Sequence, residues 1–472
     1  MTALTAVEKI LALKSDKSAV RPGDVVYPDP DFIMIHDGVV MGAKKELDAL
    51  GITRLAAPDK VVMVTDHDVI YGSARAAERG ACNRAAAQAW GVKQFFDVGR
   101  GGHGHIFPME CGMLLPGMFY FDNDRHATNA GAIGAFGFRM GSEISRVLAT
   151  GTNWIVVPKS VRLTIKGRLQ PGVHARDLGF HVAALIKAGA LTEDIDYRVL
   201  EYAGDLDQFS LAARAALCSS PTEIGAYGVF VPPSAAILAH AGAQAKIPFT
   251  PVYADANAQY EAQCEIDVSA LEPQIATPGG VQNAVNLSQV AGTRVNHAFI
   301  GSCGSGMWDD MEQAGAVLKG KHIASHLRLF IAPGSEASMK RMAGSGLLQP
   351  AVTQIGVTFR GHHMTHRDAL MNAVRQLGGT PVEAKSEAEY VQSLNVAASA
   401  AILIAALLAP SPSRPSPPGD RSRLHPGRTR RGWRRPARGG SKTRTRRRPR
   451  ARSSTGFRWR GRRRDRCSSG RW

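Results

Sequence analysis

The chain of 472 residues carries 58 Lys+Arg against 40 Asp+Glu, a formal balance of +18, but that excess sits at one end. Residues 411–472 hold 22 Arg and one Lys against Asp420 and Asp465, a balance of +21, while residues 1–410 hold 35 basic and 38 acidic groups, a balance of −3. This distribution excludes a basic body built around nucleic acid and describes a near-neutral globular protein with an arginine-rich appendix. No apolar run reaches the roughly 18–20 residues of a bilayer-spanning helix; the longest, 396–409, has the length of a buried one. The first residues lack the basic-then-apolar pattern of a secretory leader. Six widely spaced cysteines do not form a disulfide framework. A reducing, cytoplasmic setting without a membrane partner is therefore expected.

Residues 1–20 read as a helix, with Val7, Ile10, Leu11 and Leu13 near helical spacing. The run 60–64 is almost continuously apolar and ends in polar residues, as expected of a strand buried on both faces. An Ala-rich helix is predicted over 74–90 and a strand from 94. Further strands fit at 154–157, 161–165, 297–300 and 328–331, and helices at 181–188, 211–216, 310–318 and 368–377. This alternation predicts an α/β layered architecture, with sites at strand ends and in the loops that follow them. After Pro410, Ser, Pro, Gly and Arg replace the apolar residues, so 411–472 is expected to be disordered.

Four stretches group polar residues as core packing does not require. The first, Thr65, Asp66, His67 and Asp68, follows a buried strand, where an Asp beside a His orients the imidazole and raises its basicity. The second, 99–112, carries His103, His105 and Glu110 among glycines that permit close backbone approach; its spacing matches no zinc pattern. The third is Asp122, Asn123, Asp124, Arg125 and His126, followed by small residues suited to a turn into a helix. In the fourth, Cys303 lies in a Gly/Ser loop behind the strand-like run 295–300, as nucleophile, metal ligand or neither. Taken singly, each is also explained as a structural turn or a satisfied ion pair.

Taken together and in order, these stretches resemble the aconitase superfamily, most closely the large subunits of 3-isopropylmalate dehydratases. The resemblance rests on Val7 to Ala12, on Asp66 and His67, and on the span from Gly102 to Gly112 that includes His105 and Glu110. It continues through Asp124 to Ala127, Cys218 to Ala226 with Glu223, Asp255 to Tyr260, and Ile266 to Pro273, ending at Gly301 to Gly306 and Ala332 to Ser335. It spans roughly residues 5–350. It implies an aconitase-like fold of several α/β/α layered domains around a cleft: two within 1–285, a third over 286–410, then the tail. The implied activity is hydro-lyase chemistry, the reversible dehydration and hydration of a hydroxy-polycarboxylic acid, as in the isopropylmalate isomerisation of leucine biosynthesis. Homoaconitase- or aconitase-like hydration, a non-catalytic relic without a cluster, and nucleic-acid binding through the tail are the alternatives, the last least favoured. By resemblance Asp66, His67, His105, Asp124, His126 and Glu223 form the acid/base set, Arg125 and Ser302 meet the substrate, and Cys303 ligates a [4Fe–4S] cluster. A separate small subunit is the implied partner.

The chain departs from that pattern towards its carboxy end. The family's cluster takes two further thiolates from a Cys-x-x-Cys beyond the first ligand, yet no cysteine lies between Cys303 and Cys467. The corresponding region, 356–366, offers His362, His363 and His366 instead, and the family's substrate-binding arginine run is absent. Arg125 stands where the family signature has Ser, and Ser219 where it has Asn. Divergence of the chain and a change of reading frame beyond about residue 350 both account for these departures.

Overall fold

The computed structural model describes residues 3–347 apart from 70, 193, 194, 302, 320, 322 and 325. Ser302, the histidines of 362–366, the helix expected over 368–377 and the arginine-rich tail lie outside the described residues.

Three separate parallel sheets carry the chain. The first has five strands in the order Gln94–Phe96, Val61–Val64, Phe32–His36, Phe119–Asp122, Phe136–Arg139. Its register aligns His36 with Val64 and Val64 with Phe96, so these strands finish together at one edge. Every residue of the three central strands is buried. Such strands need apolar side chains on both faces, which is why they read as unbroken runs until the chain leaves the sheet. The second sheet runs Gly228–Phe230, Arg198–Gly204, Lys159–Lys166, Ala262–Asp267. The third pairs His297–Ile300 with Arg328–Ile331. The third sheet has a small core of its own around Ala298, Ile300, Met311, Leu329 and Met342. One continuous core joins the first two sheets, from Met34 and Tyr120 to Leu163 and Leu200. Burial of each Leu, Ile or Phe there contributes about 1.5–3 kcal/mol.

Helix boundaries follow local chemistry. The Ala74–Trp90 helix starts at Ser73, whose hydroxyl accepts the Ala76 N–H, and stops at Gly91 with φ 69°. The first helix is shorter than expected, Ala6–Lys14, held by a Thr5/Glu8 capping box and ended where Asp16 takes a left-handed φ of 51°. The expected strand at 154–157 shrinks to Ile155–Val156, paired antiparallel with Val25–Val26. Two helices begin earlier or run further than their apolar spacing indicates. Ala175–Lys187 opens with Arg176 and Asp177, both buried by polar partners, and Leu211–Thr222 runs on through buried Ser219, Ser220 and Pro221.

Candidate active site

The carboxyl ends of the first sheet present the polar residues. Asp66, just past the Val61–Val64 strand, receives His67 Nδ1 at 2.7 Å and His36 Nδ1 at 2.9 Å. The Gly104 N–H also donates to it at 2.8 Å. Glycine is required at 104, because a Cβ there would lie 2.5 Å from His36 Cε1. Asp37, following His36, accepts the N–H groups of His67 (3.2 Å) and Asp68 (2.7 Å), and Asp68 pairs with Arg79.

The neighbouring strand supplies a second arrangement. Asp122 accepts the Asp124 N–H at 2.9 Å, fixing the turn into a 3-10 helix, Arg125–Ile133. Asp124 Oδ1 then accepts the His126 N–H at 2.8 Å and lies 3.0 Å from His126 Nδ1 and 3.2 Å from His105 Nε2. The other ring nitrogen of His126 is 3.0 Å from Glu223 Oε1 and 3.1 Å from Cys303 Sγ. Arg125 lies 3.5 Å from Glu223. Asp124, Arg125, His126, Glu223 and Cys303 are thus brought into one cluster, which His105 joins from behind and which the His36–Asp66–His67 group adjoins. Glu110 is held elsewhere, by the Ser338 hydroxyl at 3.5 Å and by Ser335.

Buried polar groups place the Cys303 loop. The Arg176 guanidinium donates to the Gly304 carbonyl (3.0 Å), the Ser305 hydroxyl (2.6 Å) and the Ser220 hydroxyl (3.2 Å), tying the loop to the helix that leads to Glu223. Asn129 donates to the Cys303 carbonyl at 2.9 Å, and Thr222 to the Arg125 carbonyl at 3.0 Å. Sequence reasoning missed His36, Asp37, Arg176 and Asn129. His36 carried a usable signal, because Phe32 to Ile35 is an apolar run followed by His36 and Asp37, much as Val61 to Val64 is followed by Asp66 and His67. Arg176 carried none, since a lone arginine in a helix ordinarily faces water.

The cluster has a wet side and a dry side. The side chains of Arg125 and Glu223 are 52% and 38% exposed, whereas those of His105 and Asp66 are 0% exposed. Burial alone would push the Asp66 carboxyl up, but His36, His67 and His103 hold it well below the ordinary range. His67 would be lowered by burial; Asp66 and Asp37 raise it to about 10. Burial opposes charge on His126 too, yet Cys303, Asp124 and Glu223 raise its pKa well above the usual value. The same contact with His126 outweighs burial at Glu223 and lowers its pKa, while Asp124 is held well down by His105 and His126. The site therefore sets a protonated imidazole beside an ionised carboxylate at its solvent mouth, a pairing suited to proton transfer.

A [4Fe–4S] cluster does not fit the described residues. Among their five cysteines only Cys303 meets the histidines of the site. Cys218 is buried beside Arg214, the Cys264 thiol donates to the Leu191 carbonyl, Cys82 lies on the Ala74–Trp90 helix and Cys111 beside Met113. A single thiolate cannot hold a cubane that calls for several. Other combinations of imidazole and carboxylate do come together: His36, Asp66 and His67; His36, His105 and Asp122; His105, Asp124 and His126.

Comparison with known proteins gives the family. A model of the aconitase family (aconitate hydratase) matches residues 8–363. The chain is 35% identical over 347 residues to 3-isopropylmalate dehydratase large subunit 1 of Methanopyrus kandleri, covering 73% of this chain and 82% of that protein. It is 32% identical over 419 residues to 3-isopropylmalate dehydratase large subunit 1 of Pyrococcus furiosus, covering 85% and 97%. It is 30% identical over 355 residues to a probable methanogen homoaconitase large subunit of Methanothermobacter thermautotrophicus, covering 74% and 82%. On the family match over residues 8–363 and these relatives, the chain belongs to the aconitase family of hydro-lyases.

Proposed function

We propose that this chain is the large subunit of a hydro-lyase that reversibly removes and re-adds water on an isopropylmalate-type hydroxy acid. The observation that carries the reading is His126, placed between Asp124 on one ring nitrogen and Glu223 and Cys303 on the other, next to a half-exposed Arg125. Dehydration takes a proton from the carbon α to a carboxylate and gives one to the departing hydroxide. His126, kept protonated by its anionic neighbours, is the donor to the leaving oxygen. Glu223, kept ionised by His126, is the acceptor. Arg125 offers its guanidinium to a substrate carboxylate, and Ser302, beside Cys303 in sequence, is proposed to meet the substrate too. His105 is fully buried behind Asp124 and acts through it, as a positioning residue; Asp66 in the same way fixes His67.

Relatives of this chain generally carry a [4Fe–4S] cluster whose iron acts as Lewis acid on the hydroxyl. The donor set described here does not fit it, and no step is assigned to one. Their designation as large subunits supports a small-subunit partner that completes the cleft. The homoaconitase relative makes longer hydroxy-tricarboxylic acids the second substrate class.

Proton NMR of mixtures of the full chain, a small-subunit partner, and isopropylmalate, homocitrate or citrate tests this reading. We expect conversion of isopropylmalate to its unsaturated acid and positional isomer. Failure of all three acids to convert would overturn it.

A further inference from the structure

Behind the acid/base cluster, His36 and Asp122, which the proposed chemistry does not use, meet the buried positioning residue His105. His36, at the end of the Phe32–His36 strand, and His105, in the loop after the Gln94–Phe96 strand, face the carboxylate of Asp122 from two sides. His36 Nε2 is 3.3 Å and His105 Nδ1 3.4 Å from its oxygens. All three side chains are 0–1% exposed. These contacts are not hydrogen bonds: His36 Nε2, His105 Nδ1 and Asp122 Oδ2 are buried atoms left without a hydrogen-bond partner. Three orphaned polar atoms converging in one dry place carry a high desolvation cost unless something binds them.

The outer contacts narrow what that is. His36 Nδ1 lies 3.0 and 2.9 Å from the two Asp66 oxygens, a contact that needs its proton on Nδ1. In the neutral ring Nε2 is then a lone pair aimed at Asp122. His105 stands between two carboxylates, with Nε2 3.2 Å from Asp124 and Nδ1 3.4 Å from Asp122, and neither nitrogen has a hydrogen-bond partner. Imidazoles whose far nitrogen is backed by a carboxylate are the usual second-shell arrangement of metal-bound histidines. Ligands about 2.0–2.1 Å from a tetrahedral ion stand about 3.3–3.4 Å apart, and each histidine nitrogen lies that far from one of the two Asp122 oxygens. The ligand atoms of the three residues all lie within 4.8 Å of one another. Asp122 is fully buried, and the two imidazoles that face it are its ring partners there, so a cation between the three would offset the cost of burying its charge.

We infer that His36, His105 and Asp122 bind one borderline divalent cation of the Zn2+ or Fe2+ class, a buried site distinct from Cys303. Two imidazoles and a carboxylate are the donor set such ions accept. The ion ties two strand ends of the first sheet to the glycine-rich loop. Through His105 and His36 it also orients Asp124 and Asp66, so its role is structural and positioning. Burial lowers the pKa of His36 but Asp66 and Asp122 raise it well above the usual value, so a proton on that ring answers the same field, and metal analysis separates the two.

The test is elemental analysis of the full chain, purified without chelator and dialysed against buffer containing Zn2+ and then against metal-free buffer. We expect about one ion per chain, lost at least tenfold in Asp122→Asn and His36→Ala and kept in His67→Asn. Should the first two variants not fold, Co2+ added to the metal-stripped full chain gives the same answer from its visible spectrum. Intense tetrahedral bands without a sulfur-to-cobalt charge-transfer band support the site. Wild-type chain without a retained ion, unchanged retention in folded Asp122→Asn, or a charge-transfer band placing the ion on Cys303 would each overturn it. None of these readouts involves turnover, so the inference and the hydro-lyase reading fail separately.

Discussion

His126 touches three acidic partners at once, Asp124, Glu223 and Cys303, and most predictions at the residue scale follow from that. His126→Gln keeps the ring's approximate volume but cannot hold a proton, and we expect it to lower kcat by about 10²-fold or more with the fold unchanged in circular dichroism. Glu223→Gln removes the acceptor and should cost a similar factor, whereas Glu110→Gln, held by Ser335 and Ser338, should leave kcat within about threefold. His67 carries a pH signature. Its pKa rises on folding from 6.5 to about 10, so the stability it contributes is complete below 6.5 and is lost as pH climbs through about 10. The stability gap between wild type and His67→Gln in urea unfolding should therefore shrink between pH 7 and pH 10; a gap that widens would contradict the assignment. The proposed acid/base residues stand out in the sequence because they fall in ordered motifs, after strands for Asp66, His67, Asp124 and His126 and at a helix end for Glu223. His36 and Arg176 were not, because each is a single polar residue whose role comes from distant partners: Asp66 and Asp122 for the first, the Cys303 loop for the second.

At the scale of elements, the 3-10 helix Arg125–Ile133 presents His126 only because it lies against the Gly228–Phe230 strand. A Cβ on Gly131 would come 2.0 Å from the Val229 carbonyl oxygen, which is backbone and cannot give way. Gly131→Ala should therefore destabilise by about 3 kcal/mol or prevent folding. Gly42→Ala, in the Asp37–Ala49 helix with open space around its Cβ position, should stabilise by about 0.5–1 kcal/mol. Thermal unfolding of the pair checks both signs. Elements closed by strong local signals were read correctly from sequence: Ala74–Trp90 between Ser73 and Gly91, and the strands His297–Ile300 and Arg328–Ile331. Those whose ends are decided by burial of polar side chains were not. The expectation over 211–216 stopped short of Thr222 because Ser219, Ser220 and Pro221 look like a turn until the packed surroundings are known.

At the scale of the whole molecule, the described residues build three parallel sheets and two antiparallel strand pairs, with the candidate site at the strand ends of the first sheet, and the +18 formal charge says nothing about its chemistry. The sequence already assigns +21 to residues 411–472 and −3 to the rest. Shortening the chain to residues 1–410 should abolish salt-sensitive retention on a cation exchanger while leaving the hydro-lyase activity in place; loss of that activity would tie the arginine-rich segment to the site. The layered α/β class was legible in the alternation of apolar runs, and the grouping of the described strands into three parallel sheets and two antiparallel pairs was not, because register and pairing depend on contacts far apart in the chain. The central claim is that His126 and Glu223 carry out reversible elimination of water. Its most direct measurement is the ultraviolet absorbance of the unsaturated acid, followed as isopropylmalate is mixed with the full chain and its small-subunit partner. The account predicts that this absorbance grows with wild type and stays flat with His126→Gln and Glu223→Gln. Equal growth with either folded variant would contradict it.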